Sequence, residues 1–212
     1  MKKKNLLMTA IAIFGLATIT MAQVPNYVPS NGLVGWWPFN GNANDESGNG
    51  NNGTVNGATL TTDRFGLSNQ AYGFDGVDDF FEVNINQNQS FTISLWVKSI
   101  SFSQTGIIWQ HKNNCNRGGG YMLMQINGAL RYYVYNCGEC APGGCSNIVD
   151  LSNLYQAINN QWNHIVLSKD SLGEIKLFID ANLVFQNVNA LNNLSFGVQP
   201  FSVGKWHDVP DL

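Results

Sequence analysis

A polar loop at residues 40–53 places the strongest constraint on how this chain folds. Its sequence, NGNANDESGNGNNG, is built almost wholly from Asn, Gly, Asp, Glu and Ser. Such residues tolerate positive φ angles and hydrogen-bond to their own backbone, so the segment favours neither helix nor strand. We expect a tight, ordered loop with inward-pointing oxygens, which suits a hard cation. The apolar run before it predicts a short strand with Leu33, Trp37 and Phe39 on one face.

Strands are predicted at close spacing after this loop. Residues 91–99 give the clearest signal, because Phe91, Ile93, Leu95 and Val97 occupy every second position. We place these four side chains in the core, while the intervening positions face outward or line a groove. No stretch has a convincing helical period, so the sequence predicts an all-β domain. About 190 residues after an N-terminal leader fit a single domain of this class.

A hairpin is predicted between residues 121–126 and 129–135, because Asn127-Gly128 is a favoured two-residue turn. In that register Leu123 faces Tyr132, and Met122 faces Tyr133. One face of the hairpin then mixes aromatic rings, a cation and thioethers, which would suit a groove for a sugar or peptide. A second packed layer is the alternative interpretation. The candidate ligand contacts are Trp109, which lies in a further strand predicted at residues 106–112, Arg131, Tyr133 and Tyr135.

The first 22 residues predict a secretory signal peptide. Lysines at positions 2–4 precede an uncharged apolar stretch at residues 6–19, and the segment ends in the small residue Ala22. The stretch is shorter than the ~20 apolar residues of a membrane span. We therefore expect a secreted or cell-surface protein with no membrane span after cleavage. Residues 23–31, which include two prolines, predict a linker or N-terminal arm.

The charge balance argues against nucleic acid as a partner. Removal of the three leader lysines leaves 8 of the 11 Lys and Arg residues against 14 Asp and Glu, a net charge of −6. The remaining cations are scattered singly, so no basic cluster is available to neutralise phosphates.

Four segments resemble one known domain family. GLVGWWPFNGNANDESGNGNNG, AYGFDGVDDFFEV and FTISLWVKS look like the start of a laminin-G-like domain of the concanavalin A-like lectin/glucanase superfamily, and QWNHIVLSKDSLGEIKLFIDANLV resembles its later paired strands. The resemblance implies a two-sheet antiparallel jelly-roll sandwich over residues 32–212. Members usually close with a further strand. We therefore expect a truncated domain that lacks its closing C-terminal strand and has an uncovered edge near residues 32–39.

The superfamily holds lectins, adhesion modules and glycosidases on one scaffold. Its glycosidases typically carry an ExDxxE strand, and the glutamates of this chain do not fall into that spacing. His164, in QWNHIV, is interpreted as a packing residue. We therefore expect a secreted, non-catalytic recognition or adhesion module, attached to further domains, that binds a glycan or a cell-surface protein. The alternative is a glycoside hydrolase-related enzyme of the same fold. The four glutamates are Glu46, Glu82, Glu139 and Glu174.

Four cysteines lie in one local segment, at Cys115, Cys137, Cys140 and Cys145. An even count in an exported protein indicates disulfides. We expect Cys115 to bond to Cys140 or Cys137, with Cys145 taking the one left over. Zinc is the competing interpretation, because Cys137 and Cys140 have the spacing of metal ligands.

The resemblance also implies calcium in the loop at residues 40–53. Asp45 is the expected carboxylate ligand, and Asn44 and Asn49 are the expected neutral oxygen donors. Because fewer carboxylates generally mean weaker binding, we expect the millimolar affinity of extracellular modules. The alternative is that Asp45 caps loop amides in an Asx turn, which needs no metal.

Overall fold

The computed structural model describes residues 24–86, 90–98, 106–112, 120–126, 129–135, 148–149, 160–187 and 198–204. All regular structure in these ranges is β, and none of them contains a helix that could cross a membrane. The strands are Thr54–Asn56 (β1), Thr59–Thr61 (β2), Ala71–Gly73 (β3), Phe80–Asn86 (β4), Phe91–Lys98 (β5), Gly106–Lys112 (β6), Gly120–Ile126 (β7), Ala129–Tyr135 (β8), Ile148–Val149 (β9), Trp162–Lys169 (β10), Ile175–Ile179 (β11), Asn182–Asn187 (β12) and Val198–Val203 (β13).

Two antiparallel sheets form the body of the domain. The large sheet has seven strands in the order β1-β4-β13-β6-β7-β8-β9, and the small sheet has four in the order β12-β11-β10-β5. Strands β2 and β3 form a separate two-stranded hairpin. Neighbours such as β4 and β13 are far apart in sequence, so the chain crosses between sheets as it does in a jelly roll. The predicted all-β, two-sheet antiparallel fold is confirmed.

A single hydrophobic core joins the two sheets. Alternate residues of β10 and β11 are buried, as expected for strands with one face inward. The predicted inward residues of β5 also pack against this core, but they are only partly buried, because β5 lies at the edge of the small sheet. The core consists of Ala43, Phe81, Val83, Ile108, Trp109, Leu123, Leu130, Tyr132, Ile165, Leu167, Ile175, Leu177, Ile179 and Phe201.

The predicted hairpin is confirmed with its register. Strands β7 and β8 pair so that Leu123 lies opposite Tyr132 and Met122 lies opposite Tyr133. The two-residue turn at positions 127–128 fixes this register from local sequence alone.

The predicted strand at residues 33–39 is wrong, since the described residues 24–53 contain no strand. Side chains of the polar loop take the place of a strand partner. The Asn49 side-chain amide donates to the Leu33 carbonyl at 2.7 Å, and that of Asn51 donates to the Val34 carbonyl at 2.7 Å. Trp37 and Phe39 do pack against the core, although Leu33 is not among the residues that do so. This segment therefore presents no strand edge.

Candidate functional site

Trp109 is not a ligand contact in this structure. Its side chain is 0% exposed, and its ring lies 5.9 Å from that of Phe201 and 6.3 Å from that of Tyr132. Trp109 pairs with Leu123, which pairs with Tyr132, so all three share the inner face of the large sheet. The prediction that Trp109 shares a binding surface with Arg131 and Tyr133 is therefore wrong.

The other three candidate ligand contacts, all in β8, stay predictions. Arg131, Tyr133 and Tyr135 occupy alternate positions of β8 and so lie on one face, opposite to that of Tyr132. Their side chains lie outside the described part of the structure. All four cysteines, Cys115, Cys137, Cys140 and Cys145, also fall outside the described residues, so the disulfide and zinc alternatives both stay open.

The Asp45 carboxylate organises the polar loop at residues 40–53. Its Oδ1 accepts hydrogen bonds from the backbone N–H of Trp36 and of Ser47, both at 2.9 Å. Its Oδ2 accepts one from the backbone N–H of Asn51, also at 2.9 Å. Partial burial opposes ionisation of this group, but the three backbone amides and the Ser47 hydroxyl outweigh burial and hold the pKa of Asp45 below its ordinary value.

This arrangement fits the Asx-turn alternative for Asp45. Three backbone N–H groups already donate to its two carboxylate oxygens, so the carboxylate has a structural role without a metal. Asn49 likewise turns its NH2 group toward the Leu33 carbonyl and the Ser47 hydroxyl. Asn44 is held through its backbone N–H, which donates to Asn42. Calcium in this loop, with Asp45 as its carboxylate ligand, stays a prediction.

Three carboxylates that the sequence analysis did not single out meet in the turn before β4. Asp75, Asp78 and Asp79 place oxygens within 4.8 Å of one another. Two of these carboxylates accept backbone amides within the turn, since Asp79 accepts from Asp75 and Asp75 accepts from Val77. Such bonds stabilise a tight turn without any ion.

A stacked aromatic pair lies on the outer face of the small sheet. The register between β5 and β10 places Trp96 opposite His164. Their rings stack with centroids 5.0 Å apart and planes inclined by 15°, and Trp96 remains 42% exposed. The Ser94 hydroxyl lies 2.8 Å from His164 Nε2. A wide ring with hydrogen-bonding groups at its side is thus open to solvent.

A tight turn between β11 and β12 holds His164 in place. Asp180 and Ala181 have positive φ angles of 49° and 65°, as a two-residue hairpin turn requires. The Asp180 carboxylate accepts from the His164 backbone N–H at 2.8 Å and from the Asn163 side-chain amide at 2.9 Å. It therefore binds the strand beneath the imidazole, and these two bonds do not make it the third member of a Ser-His-Asp arrangement.

The imidazole of His164 is neutral near pH 7. Burial lowers its pKa, the Asp180 charge raises it and the Arg64 charge lowers it, with a net decrease from the ordinary value of 6.5. A neutral ring can donate one hydrogen bond and accept another, so Nε2 of His164 can either donate to the Ser94 hydroxyl or accept from it.

Arg64 reaches this face from the tip of the β2-β3 hairpin. Its guanidinium carbon lies 4.4 Å from the centre of the Trp96 ring and 4.2 Å from that of Phe65, which is 70% exposed. Asp63 holds the tip in shape, because its Oδ1 accepts from the backbone N–H of Phe65 and of Leu67 at 2.8 Å each. We call the set formed by Arg64, Phe65, Ser94, Trp96 and His164 the outer-face platform.

Sequence patterns predict the position of only some residues of the outer-face platform. Trp96 falls at an outward position of the most regular strand, so its exposure follows from the alternation of β5. His164, interpreted from the sequence as a packing residue, does pack on the Trp96 ring, but on the outer face of the small sheet. Its partner Ser94 is 70 residues away, and no local pattern reports that pairing.

Comparisons with known proteins agree with the fold. A family model described as the concanavalin A-like lectin/glucanases superfamily matches residues 73–209. The binding domain of botulinum neurotoxin serotype D is similar, with a TM-score of 0.55, 17% identity, and coverage of 79% of this chain and 41% of that one. No curated protein matches the sequence.

Two further solved structures share this likeness. One is of botulinum neurotoxin type C, whose cell entry depends on interaction with two ganglioside molecules, with a TM-score of 0.52, 19% identity, and coverage of 84% and 44%. The other is the ligand binding domain of serotype D in complex with N-acetylneuraminic acid, with a TM-score of 0.53, 17% identity, and coverage of 76% and 40%. This chain therefore spans about two fifths of the length of those structures. Because the family model matches more than half of the chain and the fold agrees, the chain belongs to the concanavalin A-like lectin/glucanases superfamily.

Proposed function

We propose that this chain is a non-catalytic, lectin-like module that binds a glycan on the outer-face platform. The observation that carries the proposal is the exposed Trp96 ring stacked on His164. Sugar rings present apolar C–H patches that pack on aromatic faces, and their hydroxyl groups need donors and acceptors at the side. Ser94, His164 and Arg64 supply such groups around Trp96.

The carboxylates beside the platform support binding rather than hydrolysis. Asp63 and Asp180 both accept backbone amides, so each has a structural role already. A glycosidase needs two carboxyl groups that flank the scissile bond and are free to exchange protons. The solved structures of neurotoxin binding domains, one of which holds N-acetylneuraminic acid, support a glycan as the partner. The predicted leader supports secretion or display at the cell surface.

We expect the full chain to bind oligosaccharides on a glycan array and the Trp96→Ala variant to bind the best of them at least about 10-fold more weakly, because stacking area is lost. Isothermal titration calorimetry gives the dissociation constants. The matched control is Tyr27→Ala, which removes another exposed aromatic ring from a segment remote in sequence from the platform residues. Binding by Trp96→Ala within twofold of the wild type would remove the platform as the site. Release of reducing sugar from any bound polysaccharide would overturn the non-catalytic assignment.

A further inference from the structure

We infer that the outer-face platform selects sugars that carry a carboxylate, and that Arg64 is the residue that recognises this group. The inference rests on the proposed function, because it names the class of glycan that the same site would take.

The Arg64 side chain has no acidic partner among the described residues. An ion pair among the described residues joins Lys176 to Glu174, elsewhere on the small sheet. Arg64 instead lies over the rings of Phe65 and Trp96, and neither ring offers the lone pairs of an oxygen acceptor. The guanidinium N–H donors, five in number in any arginine, are therefore available to a ligand.

Neither Asp63 nor Asp180 forms an ion pair with Arg64 in the described part of the structure. Asp63 precedes Arg64, but its Oδ1 already accepts two backbone amides of the hairpin tip. Asp180 lies beneath His164 and accepts from the backbone and from Asn163. The Asp180 charge still acts on His164 of the platform, so Arg64 is distinguished by its N–H donors and not by a net positive charge.

The two aromatic contacts also preorganise Arg64 for binding. A free arginine side chain loses rotamer freedom when it binds, and rings that already hold it reduce that loss. A guanidinium donates two parallel hydrogen bonds to a carboxylate, which a neutral hydroxyl cannot match. A pyranose that carries a carboxylate can therefore pair with Arg64 while its ring packs on the aromatic surface of Phe65 and Trp96 that Arg64 and His164 leave exposed. Uronic acids and sialic acids share this chemistry.

The test compares acidic sugars with matched neutral sugars on the full chain by calorimetry. The first arm uses oligogalacturonate and its methyl ester, and the second uses sialyllactose and lactose. We expect the wild type to bind the acid at least about 10-fold more tightly in one arm, which also identifies the source of the carboxylate. Arg64→Gln should remove that preference, whereas Arg64→Lys should retain part of it, because lysine keeps the charge without the bidentate fork.

Lys176→Gln is the matched control, because it removes a different cation of the small sheet and should leave the preference intact. Melting curves of each variant establish that it is folded. Equal binding of acid and neutral sugar in both arms overturns the inference while the proposed function stands. A preference that survives Arg64→Gln assigns the recognition of the carboxylate to another residue and also overturns it. Absence of binding to all four sugars and to the glycan array overturns both.

Discussion

Replacement of Trp109 by alanine should lower the free energy of unfolding by about 3–5 kcal/mol, as large-to-small changes of a buried aromatic residue do. The indole is 0% exposed and packs against Phe201 and Tyr132. Alanine would leave a cavity between the sheets that these rigid rings can fill only in part. Urea denaturation of the wild type and the variant, followed by tryptophan fluorescence and circular dichroism, measures the difference.

Trp109→Phe is the matched control for this change. It keeps an aromatic ring in the core and removes the indole N–H, which has no hydrogen-bond partner among the described residues. Loss of an unpaired buried donor offsets part of the lost packing, so we expect a cost of about 1 kcal/mol. If Trp109→Ala keeps its stability and instead weakens glycan binding, then Trp109 faces a ligand and its place in the core is wrong.

Local sequence signals predicted the elements of this fold well. The alternation in β5 gave its inner and outer faces, and the Asn127-Gly128 turn gave the register of the β7-β8 hairpin. The alternation of residues along β6 does not predict the face of the sheet on which Trp109 lies. A bulge between Ile107 and Trp109 in β6 adds one residue on that strand and reverses the side on which the following residues lie.

Local sequence patterns also do not predict that the outer-face platform forms. It combines the tip of the β2-β3 hairpin with β5 and β10, and these three segments are well separated in sequence. Trp96 could be predicted to face outward, but neither its stacking on His164 nor the approach of Arg64 follows from sequence spacing.

The apolar run at residues 33–39 predicted a strand that does not form. Side chains of Asn49 and Asn51 satisfy its carbonyl groups, so it needs no neighbouring strand.

Replacement of Asp45 by alanine should lower the free energy of unfolding by about 2–4 kcal/mol, since three backbone N–H groups lose a charged acceptor at once. Asp45→Asn should cost less, because its one remaining oxygen can still accept from Trp36 and Ser47. The control is Asp75→Ala, which removes an exposed carboxylate that accepts a single backbone amide, from Val77. Its cost should stay below about 1 kcal/mol. Urea denaturation at pH 7 gives all three values.

The effect of Asp45 should also depend on pH with a definite sign. Its pKa in the folded state lies below the ordinary value of 3.8, so its contribution is complete above that value and is lost as the pH falls through the lower folded pKa. The stabilities of the wild type and Asp45→Ala should therefore differ most near neutral pH and converge in acid. Melting with millimolar calcium and then with chelator completes the test. A calcium-dependent rise in melting temperature that disappears in Asp45→Ala would contradict the capping role, because a ligand bound only to the folded state must stabilise it.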